Sequence, residues 1–321
     1  LHPVTIRAVL YDAKADDRTI DLDRDELRIT KDRLLWIDLD DREPGDLRRA
    51  AKAVGLESEG LDRLSREDRR ATILRLPDRV VLTLGAVEPE DAEARRREID
   101  IVIGVNHVIT VHEGGLTAVD TFRGEIHHEG ELGRLDAASF TAGLIDAICS
   151  SFFLQIEAIE RDIDELDVLA VKASGSRGYL DAVVILRRRI ARLRRTLAPN
   201  REALSPLQRP DFELRSDLGQ VWPGTIQRVE RAIDGVENAR ELLVGSFDLY
   251  LGRSSQRTND VMKVLTLVSA IALPGIVLAG VMGMNFKLPF FDDPANFWVV
   301  VGTMVLFAGA ILGVARWRDW I

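Results

Sequence analysis

Two long stretches without a formal charge end this chain, and they constrain its fold more than any other feature. Residues 264–286 lie between Lys263 and Lys287, and residues 294–315 lie between Asp293 and Arg316. Each is mostly apolar and longer than twenty residues, enough for an α-helix to cross a hydrocarbon layer about 30 Å thick. The competing reading is a buried helical hairpin in a water-soluble fold. Two uncharged runs of this length favour membrane spans instead. The mean hydropathy of the whole chain is near zero because a heavily charged N-terminal part is averaged with the two spans.

Flanking charge predicts the orientation. Arg253, Arg257 and Lys263 precede the first run, Arg316 and Arg318 follow the second, and the segment between carries Lys287, Asp292 and Asp293. Lys and Arg thus gather on the side that holds both termini, which places both in the cytoplasm and the spans in the inner (cytoplasmic) membrane. Trp298 near one boundary, and Trp317 and Trp320 near the other, fit aromatic belts at the interfaces. No apolar h-region is visible near residue 1, so no signal peptide is expected.

The chain has 321 residues, 30% of them charged, and a net charge of −9. That acidity argues against nucleic acid as a partner and suits a surface that meets cations. Cys149 is the only cysteine, which leaves no intramolecular disulfide and no cysteine-based metal site. No glycine-rich phosphate loop or nucleophile–base motif appears, so neither an enzyme nor an organic cofactor is expected. The paired His127-His128 reads as a surface loop, because adjacent residues rarely ligate one metal unaided.

The expected fold class is α+β: a cytoplasmic α/β domain, a long helical stalk and two C-terminal transmembrane helices. The divisions are 1–136 for the α/β domain, 137–262 for a helical hairpin and the stalk, and 263–285 for a first, pore-lining span. An outer loop 286–296, a second span 297–316 and a tail 317–321 complete it. Strands are expected at 4–11, 34–39, 71–76, 79–87 and 99–111, helices at 44–54 and 56–64, and an exposed charged loop at 88–98. Residues 139–172 carry apolar side chains at helical spacing, Leu144, Ile148, Phe152, Ile156 and Ile159 among them. A second helix is expected at 179–197, ended by Pro199. The first of these helices becomes acidic, the second carries Arg187, Arg188, Arg189, Arg192, Arg194 and Arg195, and the two read as an antiparallel pair. A third helix, 225–284, would be sixty residues or about 90 Å long. It is too long for one globular core, so lateral partners are expected.

Stepping along that helix by threes and fours from Asn259 gives Asn259, Met262, Thr266, Ser269, Leu273, Ile276 and Gly280. This stripe is smaller and more polar than the remainder of the span. Such groups face a bundle interior or a watery path. A ring of these helices would line a pore with amide and hydroxyl oxygens, with apolar constrictions at Met262 and Leu273 that gate by dewetting. Helix packing through small residues is the plainer alternative. Neither span contains a carboxylate. A dehydrated hard divalent ion would want charge, so neutral oxygens point to an ion that keeps its water shell, and Mg²⁺ fits best.

Gly283-Met284-Asn285 closes the first span, after Pro274 and Gly280, and a second span ends in Arg-Trp-Arg-Asp-Trp. In these residues the chain resembles the CorA family of divalent-cation transporters. The resemblance implies a funnel-shaped homopentamer, with the second spans outside a central pore. Gly283, Met284 and Asn285 would form the selectivity filter at the outer mouth, Gly283 allowing a tight turn. Asn285 would bind a hydrated cation. It also implies closure by cytoplasmic Mg²⁺ at acidic sites between subunits, with Asp234 and Glu237 on the long helix and Asp91 or Glu93 in the charged loop as candidates. Mg²⁺ is thus both transported and regulatory, with Co²⁺ or Ni²⁺ as further cargo. Two positions depart from the family pattern: Met282 stands where Tyr is common, and Lys287 where many members have Glu. A zinc transporter of the ZntB branch and a non-conducting, membrane-anchored cation sensor are the alternatives.

Overall fold

A computed structural model describes residues 6–12, 17–23, 33–66, 70–126, 136–172, 176–208, 222–284, 295–318 and 320. It divides into two units, 1–246 and 247–321.

The first unit is built on a seven-stranded sheet ordered β2-β1-β3-β7-β6-β5-β4. The strands are β1 (Ile6–Asp12), β2 (Arg18–Thr19), β3 (Arg33–Leu39), β4 (Thr72–Arg75), β5 (Val80–Ala86), β6 (Arg97–Ile103) and β7 (His107–His112). Among the described residues only the β3–β7 pair is parallel; every other pair is antiparallel. The central strands are buried along nearly their whole length because helices cover both faces.

Alternation along β3 sorts the two faces. Leu35, Ile37 and Leu39 point, with Val81, Val102, Ile109 and Val111, into a core shared with Leu47 and Ala50 of α1 (Pro44–Val54) and Leu64 of α2 (Ser58–Leu64). Pro44 starts α1 where a missing N–H costs nothing, and Gly55 ends it at φ 65°, a left-handed turn suited to glycine. On this face Asp100 is fully buried, held by Arg42 at 2.6 Å and by Thr83 at 2.5 Å. On the other face Trp36 meets Phe122 of α3 (Thr117–Ile126) and Phe140 of α4 (Ala137–Lys172), edge to face at centroid distances of 6.1 and 5.3 Å.

Several sequence expectations need correction. The apolar run 99–111 is not one strand but the β6–β7 hairpin, turned at residues 104–106. Gly104 is required there, since a Cβ would stand 2.0 Å from the His107 ring. The helix after the α4 hairpin turn, α5, runs Ser176–Leu204 and passes through Pro199, where the ring removes one backbone donor without ending the helix. Beyond it Asn200 grips Gly85 of β5, accepting from its N–H at 2.8 Å and donating to its carbonyl at 2.7 Å.

The 88–98 segment is charged outside but anchored inside. Gln155 of α4, fully buried, donates to the carbonyls of Glu88, Pro89 and Asp91. The Gln155 oxygen accepts from Arg189 of α5, which also pairs with Asp162 at 2.9 Å. The arginines of α5 do not simply zip against α4: Arg192 reaches Glu93 in the loop, and Arg194 reaches Glu237 of α6.

That last helix, α6, spans Trp222–Met282, and α7 spans Ala295–Trp317. Among the described residues, three helices are long and apolar enough to cross a membrane: α4, α6 and α7. The apolar window of α4 is 61% buried within its own unit, against 0% for α6 and α7. Protein already covers α4, and the two uncovered windows are those of the C-terminal runs.

Candidate functional site

In the second unit, α6 and α7 face each other along one stripe each. On α6 the partly covered positions include Leu267, Ile271, Pro274, Gly275, Leu278 and Met282; on α7 they include Val300, Val301, Met304, Ala308 and Ile311. A cavity of about 310 Å³ between the helices is lined by Leu267 and Ala270 on one side and Ala310, Ile311 and Val314 on the other.

The predicted pore stripe lies on the opposite side of α6. Met262, Leu273 and Ile276 are 54%, 64% and 69% exposed, and Asn259, Ser269 and Gly280 are exposed too. Thr266 is also exposed, at the edge of the stripe and of the α7-facing cavity. Small and polar side chains thus share a face that α7 leaves open. The hydroxyls on it are already committed: Thr266 Oγ1 donates to the Met262 carbonyl and Ser269 Oγ to that of Leu265, both at 2.8 Å. With their protons spent on the helix, these oxygens turn lone pairs outward and act as acceptors, suited to the hydrogens of water around a cation.

At the C-terminal end of α6 the Gly283 N–H donates to the Ala279 carbonyl at 2.9 Å and that of Met284 to Val281 at 3.2 Å. The only described glycines at positive φ are Gly55 and Gly114, so Gly283 is not one of them. A Cβ added to Gly283 would make ordinary contacts at 3.4 Å or more. Within one chain, then, turn geometry does not demand glycine at 283. Asn285 and Lys287 lie outside the described residues, as do His127 and His128.

The four candidate regulatory carboxylates do not gather in a single chain. Asp91 accepts the backbone N–H groups of Glu93 and Arg95 at 3.0 and 2.8 Å. Burial alone would raise its pKa, but those N–H bonds and the nearby arginines outweigh it and hold the group below the usual carboxylate range. Glu93 is also lowered, by its hydrogen bond to Arg95 first and the Arg95 and Arg192 charges next. Glu237 pairs with Arg194 at 2.8 Å and Arg240 at 3.6 Å, while Asp234 is exposed.

A different group does come together. Asp38 at the end of β3, Asp40 just beyond it and His112 at the end of β7 place three potential ligand atoms within 4.8 Å of one another, the only such group among the described residues. Sequence reasoning missed it. The parallel β3–β7 register, Asp38 opposite Thr110, brings together residues more than seventy positions apart.

A family model described as CorA-like Mg²⁺ transporter protein matches residues 31–315. The chain belongs to this family. It is 28% identical over 249 residues to the cobalt/magnesium transport protein CorA of Thermotoga maritima, covering 75% of this chain and 70% of that protein. It is 23% identical over 308 residues to the zinc transport protein ZntB of Cronobacter sakazakii, covering 93% and 91%. The complete structure of the CorA magnesium transporter from Methanocaldococcus jannaschii shares the fold over 100% of both chains, with a TM-score of 0.80 at 21% identity. CorA membership makes the chain a member of a transporter family, not an enzyme family.

Proposed function

We propose that this protein is a passive, channel-type transporter of hydrated divalent cations, Mg²⁺ first and Co²⁺ or Ni²⁺ next, in the cytoplasmic membrane. Its one carrying observation is the open face of α6. In a CorA-family chain, that face presents neutral oxygens whose protons are already bonded to the helix, with no carboxylate among them. Five copies around one axis would turn the stripe Asn259, Met262, Thr266, Ser269, Leu273, Ile276, Gly280 inward. Met262 and Leu273 would be the dewetting constrictions, and Gly283-Met284-Asn285 the outer filter. An ion that keeps its shell needs acceptors for water hydrogens rather than counter-charge, which this face supplies.

Both termini are cytoplasmic in this reading, and an inside-negative potential drives entry at about 2.3 kcal/mol per charge per 100 mV. Cytoplasmic Mg²⁺ closes the pore by bridging carboxylates of neighbouring subunits, for which Asp234, Glu237, Asp91 and Glu93 are candidates. The ZntB likeness supports a second reading, zinc transport by the same pore. The test is Mg²⁺ and Zn²⁺ entry into liposomes loaded with indicator dyes, for the parent and for Asn285→Ala. Magnesium entry that collapses in the variant supports the filter. Zinc entry without magnesium entry replaces the ion. No divalent entry under an applied potential removes the transport reading and leaves a cation sensor.

A further inference from the structure

We propose that Asp38, Asp40 and His112 form a binding site for one divalent transition-metal ion, of the Co²⁺, Ni²⁺ or Zn²⁺ class, inside the sheet domain. This site is separate from the pore and from the four carboxylates considered for Mg²⁺ regulation.

The imidazole is held as a metal-ligating histidine is held. His112 Nδ1 lies 2.7 Å from the Gly114 carbonyl, which can only accept, so Nδ1 carries the proton. That bond fixes the tautomer and leaves Nε2 facing the carboxylates, the arrangement that orients ligating histidines. Nε2 is 3.2 Å from Asp38 Oδ1 and 3.7 Å from Asp40 Oδ1. In a tetrahedron with bonds of about 2.0–2.1 Å, ligand atoms lie about 3.3 Å apart. Nε2 therefore already stands near tetrahedral spacing from both carboxylates, and all three ligand atoms lie within 4.8 Å of one another, with a fourth position left for water.

The carboxylates are braced for the role. Asp38 is buried, with Thr110 Oγ1 donating to Oδ1 and Arg123 to Oδ2. Arg123 in turn lies over the Trp36 ring, 5.2 Å from its centroid. These contacts orient Asp38 without using up the lone pairs of Oδ1. Asp40 is the door: its side chain is 28% exposed, and its neighbour Arg7, at 4.0 Å, is itself 45% exposed and free to swing away. Without a metal, a proton on Nε2 is donated to Asp38 Oδ1 and faces Asp40, so proton and metal are alternative occupants of one position. An imidazole among the donors selects transition ions over Mg²⁺, which prefers oxygen.

The test uses the full chain in detergent with Co²⁺ as the probe. Tetrahedral Co²⁺ with a nitrogen donor shows visible d–d absorption that is far stronger, and at longer wavelength, than the weak bands of octahedral hydrated Co²⁺ in a pore. The expected result is saturable absorption with one ion per chain, unchanged by millimolar Mg²⁺ and by Asn285→Ala. Asp40→Asn is expected to weaken it at least tenfold, and His112→Gln to abolish it. Asp40 is partly exposed, so its variant keeps the result readable even where His112→Gln fails to fold. Absorption that survives undiminished in Asp40→Asn, or the absence of saturable absorption in the parent, overturns the proposal. Loss of ion flux in Asn285→Ala alongside intact Co²⁺ absorption separates this site from the pore.

Discussion

Replacing Gln155 with leucine should loosen the 88–96 loop far more than its charged surface suggests. Gln155 has two amide hydrogens shared among three carbonyls, at 2.7, 2.9 and 2.9 Å, and one oxygen that accepts twice from Arg189. Leucine keeps the volume and removes all of these bonds. Two amide bonds to neutral carbonyls are worth about 1 kcal/mol each, and the bonds to a buried guanidinium about 2 kcal/mol together, for a loss of about 4 kcal/mol. Arg189 retains Asp162, and only the bonds to the three carbonyls, about 2 kcal/mol of the total, hold the loop. The open population of the loop therefore rises by about thirtyfold, a factor of ten per 1.4 kcal/mol. Arg95 and Arg96 supply tryptic bonds there, so native-state cleavage by trypsin reads that population directly. Arg192→Ala is the control. Its pair with Glu93 is between half-exposed side chains, and it should change cleavage by less than about fivefold. Equal cleavage in Gln155→Leu and the parent, or an effect of Arg192→Ala as large as that of Gln155→Leu, would refute the view that a buried amide rather than surface charge holds this loop.

Three further predictions follow from single contacts. Gly85→Ala puts a Cβ 2.5 Å from Thr196 Cγ2 and should cost about 2 kcal/mol in thermal unfolding; Thr196→Ser, which deletes that methyl, should recover part of it in a double-mutant cycle. Burial, with the Arg79 charge next, pushes His107 down to about 4. The unfolded chain binds this proton from pH 6.5 downward while the native state resists until about 4. Stability is therefore unaffected above pH 6.5 and falls by about 3 kcal/mol between 6.5 and 4; His107→Phe should flatten that slope in pH-dependent unfolding. Leu273→Asn, which wets the constriction proposed at Leu273, should raise ion leak into liposomes when Mg²⁺ is present on the cytoplasmic side, and an unchanged leak would move the gate elsewhere.

The membrane helices were legible because span length and freedom from charge are local properties: the bilayer, not a distant segment, is their solvent. The stripe from Asn259 to Gly280 was legible for the same reason, since helical period alone decides which residues share a face. Where both faces of an element are covered, the local signal weakens. Residues 99–111 read as a single strand because burial on both sides erases the alternation that would have marked β6 and β7, and the turn rests on Gly104 and Asn106 alone. Helix α3 escaped notice although Ala118, Val119, Phe122 and Ile126 repeat at helical spacing and are buried.

Contacts between distant segments were not legible at all. Gln155 is an ordinary polar residue in an amphipathic helix until the fold brings carbonyls 88, 89 and 91 to it. Asp38 and Asp40 are two among many acidic residues in the sequence, yet Asp38 is 2% exposed and turned to His112. By itself the sequence determined the spans, which residues share the small and polar face of α6, and the family. Tertiary structure decided which carboxylates are occupied by arginine, which are braced for another cation, and what holds the charged loop. The physical reason is that apolar periodicity acts within one element, whereas a buried polar group is satisfied only by partners that folding delivers from elsewhere in the chain.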